Sequence, residues 1–551
     1  MASGKTWNRR LAVLGGAALA AGGTALALRR PGHIHHEMPG SGIYRRGNVA
    51  EPHTLDPIMS SGVQEVEIIG DLMMGLITVT ADARPIPGMA THWETSADGL
   101  TWTFHLRDAQ WSDGEPVTAE DFVFSWRRLL NPATASTYSY FLYLVKNATA
   151  INASKLPGTA LGVRALDMRT FEVQLAHPAP YFLEMLTHTA TMPLPRHVVE
   201  AIGQAWAQPG SYVGNGAFML KKWIPNEYIL VEKNPRFFDA ANVALEQVYF
   251  YPTDDYGTAL QRFRVGELDF QDRFPEQQFA WVKENIPQTF NPVPLLITDI
   301  IAFNHKRKPF DDIRVREAIN LALNREAITG RILRAGHLPA YSVVPPGITN
   351  YPHSAGLAFR SLPYGQRMER ARSLMRNAGY DENRRLKTSY LIRATTAGIY
   401  RAVAAAIQQM LAQVFIDIAI LPTDMQVFYP AIQAHDFDIA QSGWVADFND
   451  ASTYMDLYHT GGGDNWGEYS NPAFDAMLAA AQQDTNLESR GRKLAAAETI
   501  MLNDYAAAPL FYWVNLNITW PYVKGFKANA LDFHRSRWIS IDQAAREKQF
   551  A

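Results

Sequence analysis

Between Trp93 and Ser136 three sequence patterns follow one another without a gap, and together they admit few folds. Thr101 to Leu106 (TWTFHL) alternates polar and apolar residues, the period of a half-buried strand. Trp111-Ser112-Asp113-Gly114 reads as a turn, with a glycine free to take positive φ. Thr118-Ala119-Glu120-Asp121 is a capping box: the threonine oxygen accepts an orphan N–H, and the acid sits at the positive end of a helix. Phe122, Trp126, Leu129 and Leu130 then form an apolar stripe at helical spacing. A strand, a turn and a capped amphipathic helix in this order make a βα unit of an α/β or α+β domain.

The same mixture continues along the chain. Strand patterns occur at Thr170–Leu175, Ala217–Lys221, Tyr228–Glu232, Gln247–Tyr251, Phe415–Leu421 and Phe437–Gln441. Helical patterns occur at Thr118–Leu130, Ile313–Leu323, Gln366–Asn377 and Arg401–Gln413, the third followed by the stop signal Ala378-Gly379. No repeat of 20–50 residues is present, which argues against a solenoid. At 551 residues the chain is too long for one hydrophobic core, so two or three domains are expected. The net charge is −3, and −6 without the three cations of the first 27 residues, Lys5, Arg9 and Arg10. A mildly acidic body argues against a nucleic-acid partner. Cysteine is absent, which excludes disulfides, thiolate nucleophiles and zinc–thiolate sites.

The N-terminus has the pattern of an export leader. A basic start precedes the uncharged, Ala- and Gly-rich run Leu11–Leu28, and Ala25-Leu26-Ala27 offers small residues for cleavage after Ala27. Asn8-Arg9-Arg10-Leu11-Ala12 resembles a twin-arginine signal, with 28–43 as a linker. An uncleaved anchor is the alternative, since the run is just long enough to span a membrane. Ser3-Gly4-Lys5-Thr6 lacks the first glycine and preceding strand of a phosphate loop. His33, His35, His36 and Glu37 read as a solvated linker between Pro31 and Pro39, so no metal or cofactor is expected. The glycine-rich stretch His459–Asp464 reads as a mobile surface loop.

The segment Trp102-Thr103-Phe104-His105-Leu106-Arg107, with Trp111 to Trp126 (WSDGEPVTAEDFVFSW), closely resembles the oligopeptide- and dipeptide-binding proteins that serve bacterial ABC importers (extracellular solute-binding proteins, family 5). Further matches keep the family's order. They include Asn48–Pro57 (NVAEPHTLDP), Asn215-Gly216-Ala217-Phe218, Arg264–Asp269 (RVGELD), Pro309–Ala318 (PFDDIRVREA) and Gly443–Phe448 (GWVADF). The resemblance implies a class II, cluster C periplasmic-binding-protein-like fold, with two lobes closing on a ligand and an extra small domain inserted in the first. The first lobe is then 44–72, 195–296 and 512–551; the small domain is 73–194; the opposing lobe is 297–511. Hinges fall near residues 296 and 512. The implied function is capture of peptides in the periplasm and delivery to an inner-membrane permease, by a monomer without enzymatic activity.

The resemblance also implies a site. Asp447 falls where the family places the aspartate that binds a peptide's α-amino group, with Trp444 and Val445 on the same wall and Tyr138 as a contact from the small domain. An aspartate suits a charge-assisted hydrogen bond to an ammonium. Tyr400 and Met425 take the places of a pocket histidine and a pocket tryptophan. Ser61 stands where relatives have a second acid, and Ile432 and Gln441 stand where they have arginines. These five replacements imply a more apolar pocket, suited to hydrophobic, modified or blocked peptides, although Arg393 and Arg401 lie nearby in sequence. A binder of another amine-bearing solute remains an alternative reading. A peptide hydrolase is less well supported: no G-x-S-x-G or H-E-x-x-H occurs, and Asp311/Asp312 and Asp436/Asp438 read as a helix start and as strand positions.

Overall fold

The computed structural model describes Gly40, residues 42–394 and residues 398–551. The leader, the phosphate-loop-like tetrapeptide and the histidine cluster lie outside the described residues. Among those described, no helix is long and apolar enough to cross a membrane, and no cluster of potential metal ligands occurs.

Two six-stranded sheets and one four-stranded sheet organise an α/β chain. The first six-stranded sheet runs, in spatial order, Ile518–Thr519, Phe270–Gln271, Ile43–Gly47, Gln247–Tyr251, Tyr228–Lys233 and Phe218–Ile224. The four-stranded sheet is Ala90–Thr95, Thr101–Leu106, Thr170–Gln174 and Val163–Asp167. Both draw on one continuous hydrophobic core. The second six-stranded sheet is Leu338–Pro339, Ala507–Val514, Pro294–Phe303, Ile439–Val445, Leu386–Arg393 and Ile416–Thr423, with a core of its own. Two cores make two lobes.

The chain passes between the six-stranded sheets twice, after Phe290 and after Val514, and the two passages lie side by side. Asn515 N–H donates to the Val293 carbonyl (3.1 Å), and Val293 N–H donates to the Asn515 side-chain oxygen (2.6 Å). Asn515 is 1% exposed and its amide group continues to Asn517 (2.7 Å), so neither crossing strand is free to slide past the other.

The motif residues prove to be fasteners between segments. The helix Ala119–Leu130 starts at Thr118, and the Asp121 carboxylate accepts from the Thr118 N–H (2.8 Å) and hydroxyl (3.0 Å). Its buried face sends Trp126 Nε1–H to the Thr191 carbonyl (2.9 Å). From the flank, Arg128 pairs with Asp56 of the Leu-Asp-Pro turn (2.8 Å). Asn215 bonds both backbone groups of Met74 (2.8 and 3.0 Å). A side chain at Gly216 would meet the Leu72–Met73 peptide at about the same point, within 2.5 Å, so only glycine allows that approach. Asp312 caps the helix Ile313–Ala322 by accepting from Arg314 N–H (2.9 Å). The expected strand at Phe437–Gln441 sits two residues later, at Ile439–Val445. Phe437 instead packs with Phe428 and Ile432 in a small separate cluster, and pairing with Ile297–Phe303 carries the strand on to Val445.

Asp269, from the RVGELD motif, is fully buried and gathers the first lobe. It accepts from Arg45 N–H (2.8 Å), the Arg45 guanidinium (3.0 Å), Tyr522 OH (2.9 Å) and the Arg546 guanidinium (2.7 Å). Removing one partner of a buried ion pair leaves an uncompensated charge, at a cost of about 3–5 kcal/mol. Asp269→Asn is therefore expected to lower the thermal midpoint by several degrees, and a melt indistinguishable from wild type would exclude this role.

Candidate functional site

A cavity of about 350 Å³ lies between the lobes. The first sheet contributes Arg46 to Val49 and Phe270 to Arg273; the start of the helix Val63–Leu72 contributes Ser61 to Val63; the second lobe contributes Leu295–Ile297 and Val445–Asp447. Tyr138 and His188 close it from the side of the four-stranded sheet.

Strand geometry explains which signature residues face it. Val445 pairs with Ile297 and Trp444 with Thr298, so alternate side chains leave opposite faces. Val445 is 60% exposed and lines the cavity. Trp444 turns into the second lobe, where Nε1–H donates to Thr453 Oγ1 (2.8 Å) and the ring lies 6.5 Å from Trp466. Asp447, just beyond the strand, returns to the cavity. Tyr138 stacks on Tyr140 and His188, with centroids 5.7 and 4.8 Å apart. Burial lowers the His188 pKa to about 4, so this ring is a neutral wall at neutral pH. Of the six residues singled out in the sequence, Asp447, Val445 and Tyr138 line this cavity; Trp444, Tyr400 and Met425 do not.

Asp447 is the electrostatic focus. Its carboxylate forms no ion pair among the described residues and accepts one long hydrogen bond, from Tyr140 OH at 3.5 Å. Burial pushes its pKa up to about 6, with the Tyr140 contact opposing and the negative charge of Asp464 adding to the rise. A half-buried carboxylate without a cation is costly to hold ionised, and the cost falls when a cation arrives. Nothing in the sequence flagged Asp464, which sits in the glycine-rich loop, or Tyr140, which reaches Asp447 across 307 positions of chain. Both become legible only through chain crossings that pair-wise sequence patterns do not encode.

Other charges line the opposite wall. Arg46 is neutralised by Glu67 (2.9 Å). Burial raises the Asp272 pKa to about 6, while it accepts from Val49 N–H (3.2 Å). Beside it, Arg273 is half-buried and forms no ion pair among the described residues. Ser61 and Gly62 leave their side of the cavity uncharged.

The positions where the second lobe was expected to be apolar are arranged differently. Ile432 is fully buried inside the wall. Met425, 43% exposed, starts the helix Met425–Gln433 outside the cavity lining. Gln441 and Tyr400 both contact Arg393, whose Nε–H donates to Gln441 Oε1 (3.0 Å) and whose Nη2–H donates to Tyr400 OH (3.1 Å). This cation comes from the neighbouring strand, and neither it nor its two partners lines the cavity.

Comparison with known proteins follows the same architecture. The family described as "Bacterial extracellular solute-binding proteins, family 5 Middle" matches residues 84–466. The periplasmic oligopeptide-binding protein OppA of Haemophilus influenzae is 37% identical over 484 residues, which is 87% of this chain and 90% of that protein. The unliganded open form of the periplasmic murein tripeptide-binding protein MppA superposes with a TM-score of 0.82 at 31% identity, covering 91% of this chain and 98% of that one. The H. influenzae OppA complex with the peptide RPPGFSPFR gives 0.75 at 35% identity, covering 92% and all of the respective chains. On these grounds the chain belongs to the bacterial extracellular solute-binding proteins of family 5.

Proposed function

We propose that this chain is the substrate-binding component of an ABC importer, which captures peptides between its lobes and holds their free amine on Asp447. The observation that carries this reading is a carboxylate set in a between-lobe cavity, raised in pKa by burial and lacking a cation. An ammonium supplies the missing charge through charge-assisted hydrogen bonds. Val445 and Ser61–Val63 line the cavity from opposite lobes, and a peptide between them is held mainly through its main chain, independent of its sequence. The relatives are named as oligopeptide- and murein-peptide-binding proteins, which supports a peptide and a binding role rather than a catalytic one. Periplasmic location, delivery to an inner-membrane permease and a monomeric state belong to the same proposal. So do the division into 44–72, 195–296 and 512–551, then 73–194, then 297–511, and a hinge at the paired crossings beside Val293 and Asn515.

Native mass spectrometry of the purified protein tests the reading: a ladder of peptide masses supports it, and one defined non-peptide molecule replaces it. Asp447→Asn is expected to weaken binding of free-amine peptides at least about 30-fold, the lower range for breaking a desolvated charge pair, and to leave N-acetylated peptides nearly unaffected. Equal loss for both would remove Asp447 from the amine site.

The raised pKa gives a pH signature. Amine binding needs the ionised carboxylate and the protonated amine, so affinity for free-amine peptides is flat between pH 6 and the free amine's pKa of about 8, and falls towards about tenfold per pH unit below pH 6. In the empty protein the sign is opposite. A carboxylate raised from 3.8 to about 6 binds its proton more tightly when folded, so its contribution to stability is full below pH 3.8 and lost as pH rises through 6. Asp447→Asn is thus expected to raise the thermal midpoint of the empty protein at pH 7.5 and to leave it unchanged near pH 4. Calorimetric titrations and melts across pH 4–8 read both effects.

A further inference from the structure

Four carboxylates and two guanidinium groups line the cavity between the lobes. Two of the carboxylates are already met. Glu67 pairs with Arg46 (2.9 Å), and Asp532 accepts from the Asn517 amide (2.7 Å) and bonds to His534 (2.9 Å). Asp447 and Asp272 remain, and neither forms an ion pair among the described residues. The first is the proposed amine anchor. The second stands on the first-lobe wall. Its neighbour Arg273 does not pair with it, and the Arg273 guanidinium lies 5.9 Å from the Trp513 ring centre.

The wall holds Asp272 by one oxygen. Oδ1 accepts from Val49 N–H (3.2 Å), from the Gln271 amide (3.1 Å) and from the Thr253 hydroxyl (3.4 Å). Gln271 is fully buried and its amide also reaches the Arg273 carbonyl (2.9 Å), so carboxylate and backbone are fixed together. Phe274 N–H donates to the Leu516 carbonyl (3.3 Å), which ties the segment to the chain just past the second crossing. Oδ2 accepts no hydrogen bond among the described residues. The group is therefore oriented in advance, with one oxygen left for a ligand. Burial holds its pKa up to about 6 against the Val49 bond and the charges of Arg273 and Arg46. At neutral pH it is ionised and lacks a cation, and a bound cation relieves that state.

Asp272 and Asp447 act separately. The influences on Asp447 are burial, Tyr140 and Asp464, and Asp272 is not among them. Two carboxylates that share one ammonium stand close enough to raise each other's pKa. An amine seated on Asp447 thus leaves Asp272 unmet.

We propose that Asp272 is a second cation subsite, which takes the basic side chain of the first or second residue of a peptide whose α-amine sits on Asp447. This rests on the peptide-capture reading and deepens it by naming the substrate class: peptides with lysine or arginine next to the free amine. The lining carries two more carboxylates than guanidinium groups, which matches one α-amine and one basic side chain. A cavity of about 350 Å³ lies at the lower end of ligand pockets, so it holds the start of a peptide and not its whole length. Successive side chains of an extended peptide leave on opposite sides, and Asp272 belongs to one lobe. The preference therefore falls on one of the two positions.

Calorimetric titration at pH 7.5 with four apolar pentapeptides tests the subsite. One pair has Lys or Met at position one, the other Lys or Met at position two; methionine supplies a chain of similar length without the charge. The wild-type protein is expected to prefer Lys in one pair by roughly 10- to 100-fold, the range for a hydrogen bond to a charged group. Asp272→Asn keeps an oxygen for the three wall donors and puts a donor in place of Oδ2. It is expected to remove the preference by lowering the Lys peptide towards its Met partner. Thermal melting against wild type checks its fold, and Asp447→Asn serves as the amine control. If peptides bind in an Asp447-dependent way but neither pair is discriminated, or if Asp272→Asn keeps the preference, the side-chain subsite is overturned and peptide capture stands. An equal loss for Lys and Met peptides in a folded Asp272→Asn also overturns it, by placing Asp272 on the α-amine. If no peptide binds, or Asp447→Asn changes nothing, the peptide reading itself fails.

Discussion

The reciprocal bonding of Val293 and Asn515 is the constraint on which the rest of the site depends. Every group around the cavity comes from a segment that the two adjacent crossings bring into register: Ser61 and Arg273 from one side, Val445 and Asp447 from the other. Two strands tied at one point allow rotation about the tie and resist shear along it. Under the proposed hinge, a cavity bounded by bodies joined in this way changes its width while keeping its facing residues matched.

The fold was largely legible in the sequence because its signals are local. The period of Thr101–Leu106, the capping box at Thr118 and the Asp312 cap each depend on neighbours within a few residues, and each appears where the pattern places it. The one shifted strand, Ile439–Val445, is a case where pairing with Ile297–Phe303 outweighs local composition. The cavity position of Asp447 was legible through its motif. Its surroundings were not, because Tyr140 and Asp464 reach it through tertiary contact. Counting charges at aligned positions finds a second acid and two arginines missing. The structure brings an acid to Asp447 from the glycine-rich loop, and a guanidinium to Gln441 from the adjacent strand. Electrostatics are a property of a volume, and replacement at one position can be offset from another.

The composition of the first lobe carries a consequence for how the molecule is made. Arg546, four residues before the end of the last helix, donates to the carbonyl of Ile43 (2.8 Å) and to Asp269 (2.7 Å). The first described strand is therefore held by a side chain that is synthesised about 500 residues later. The second sheet, by contrast, is built from one unbroken stretch between Pro294 and Val514. Contacts that close long loops form slowly, and contiguous units fold as soon as they are complete. The order of assembly follows: the second lobe can fold from its own contiguous segment, while the first strand waits for the last helix. A chain cut short by even its final dozen residues retains Asp447 but loses the Arg546 side chain that ties Ile43 to Asp269 in the facing lobe.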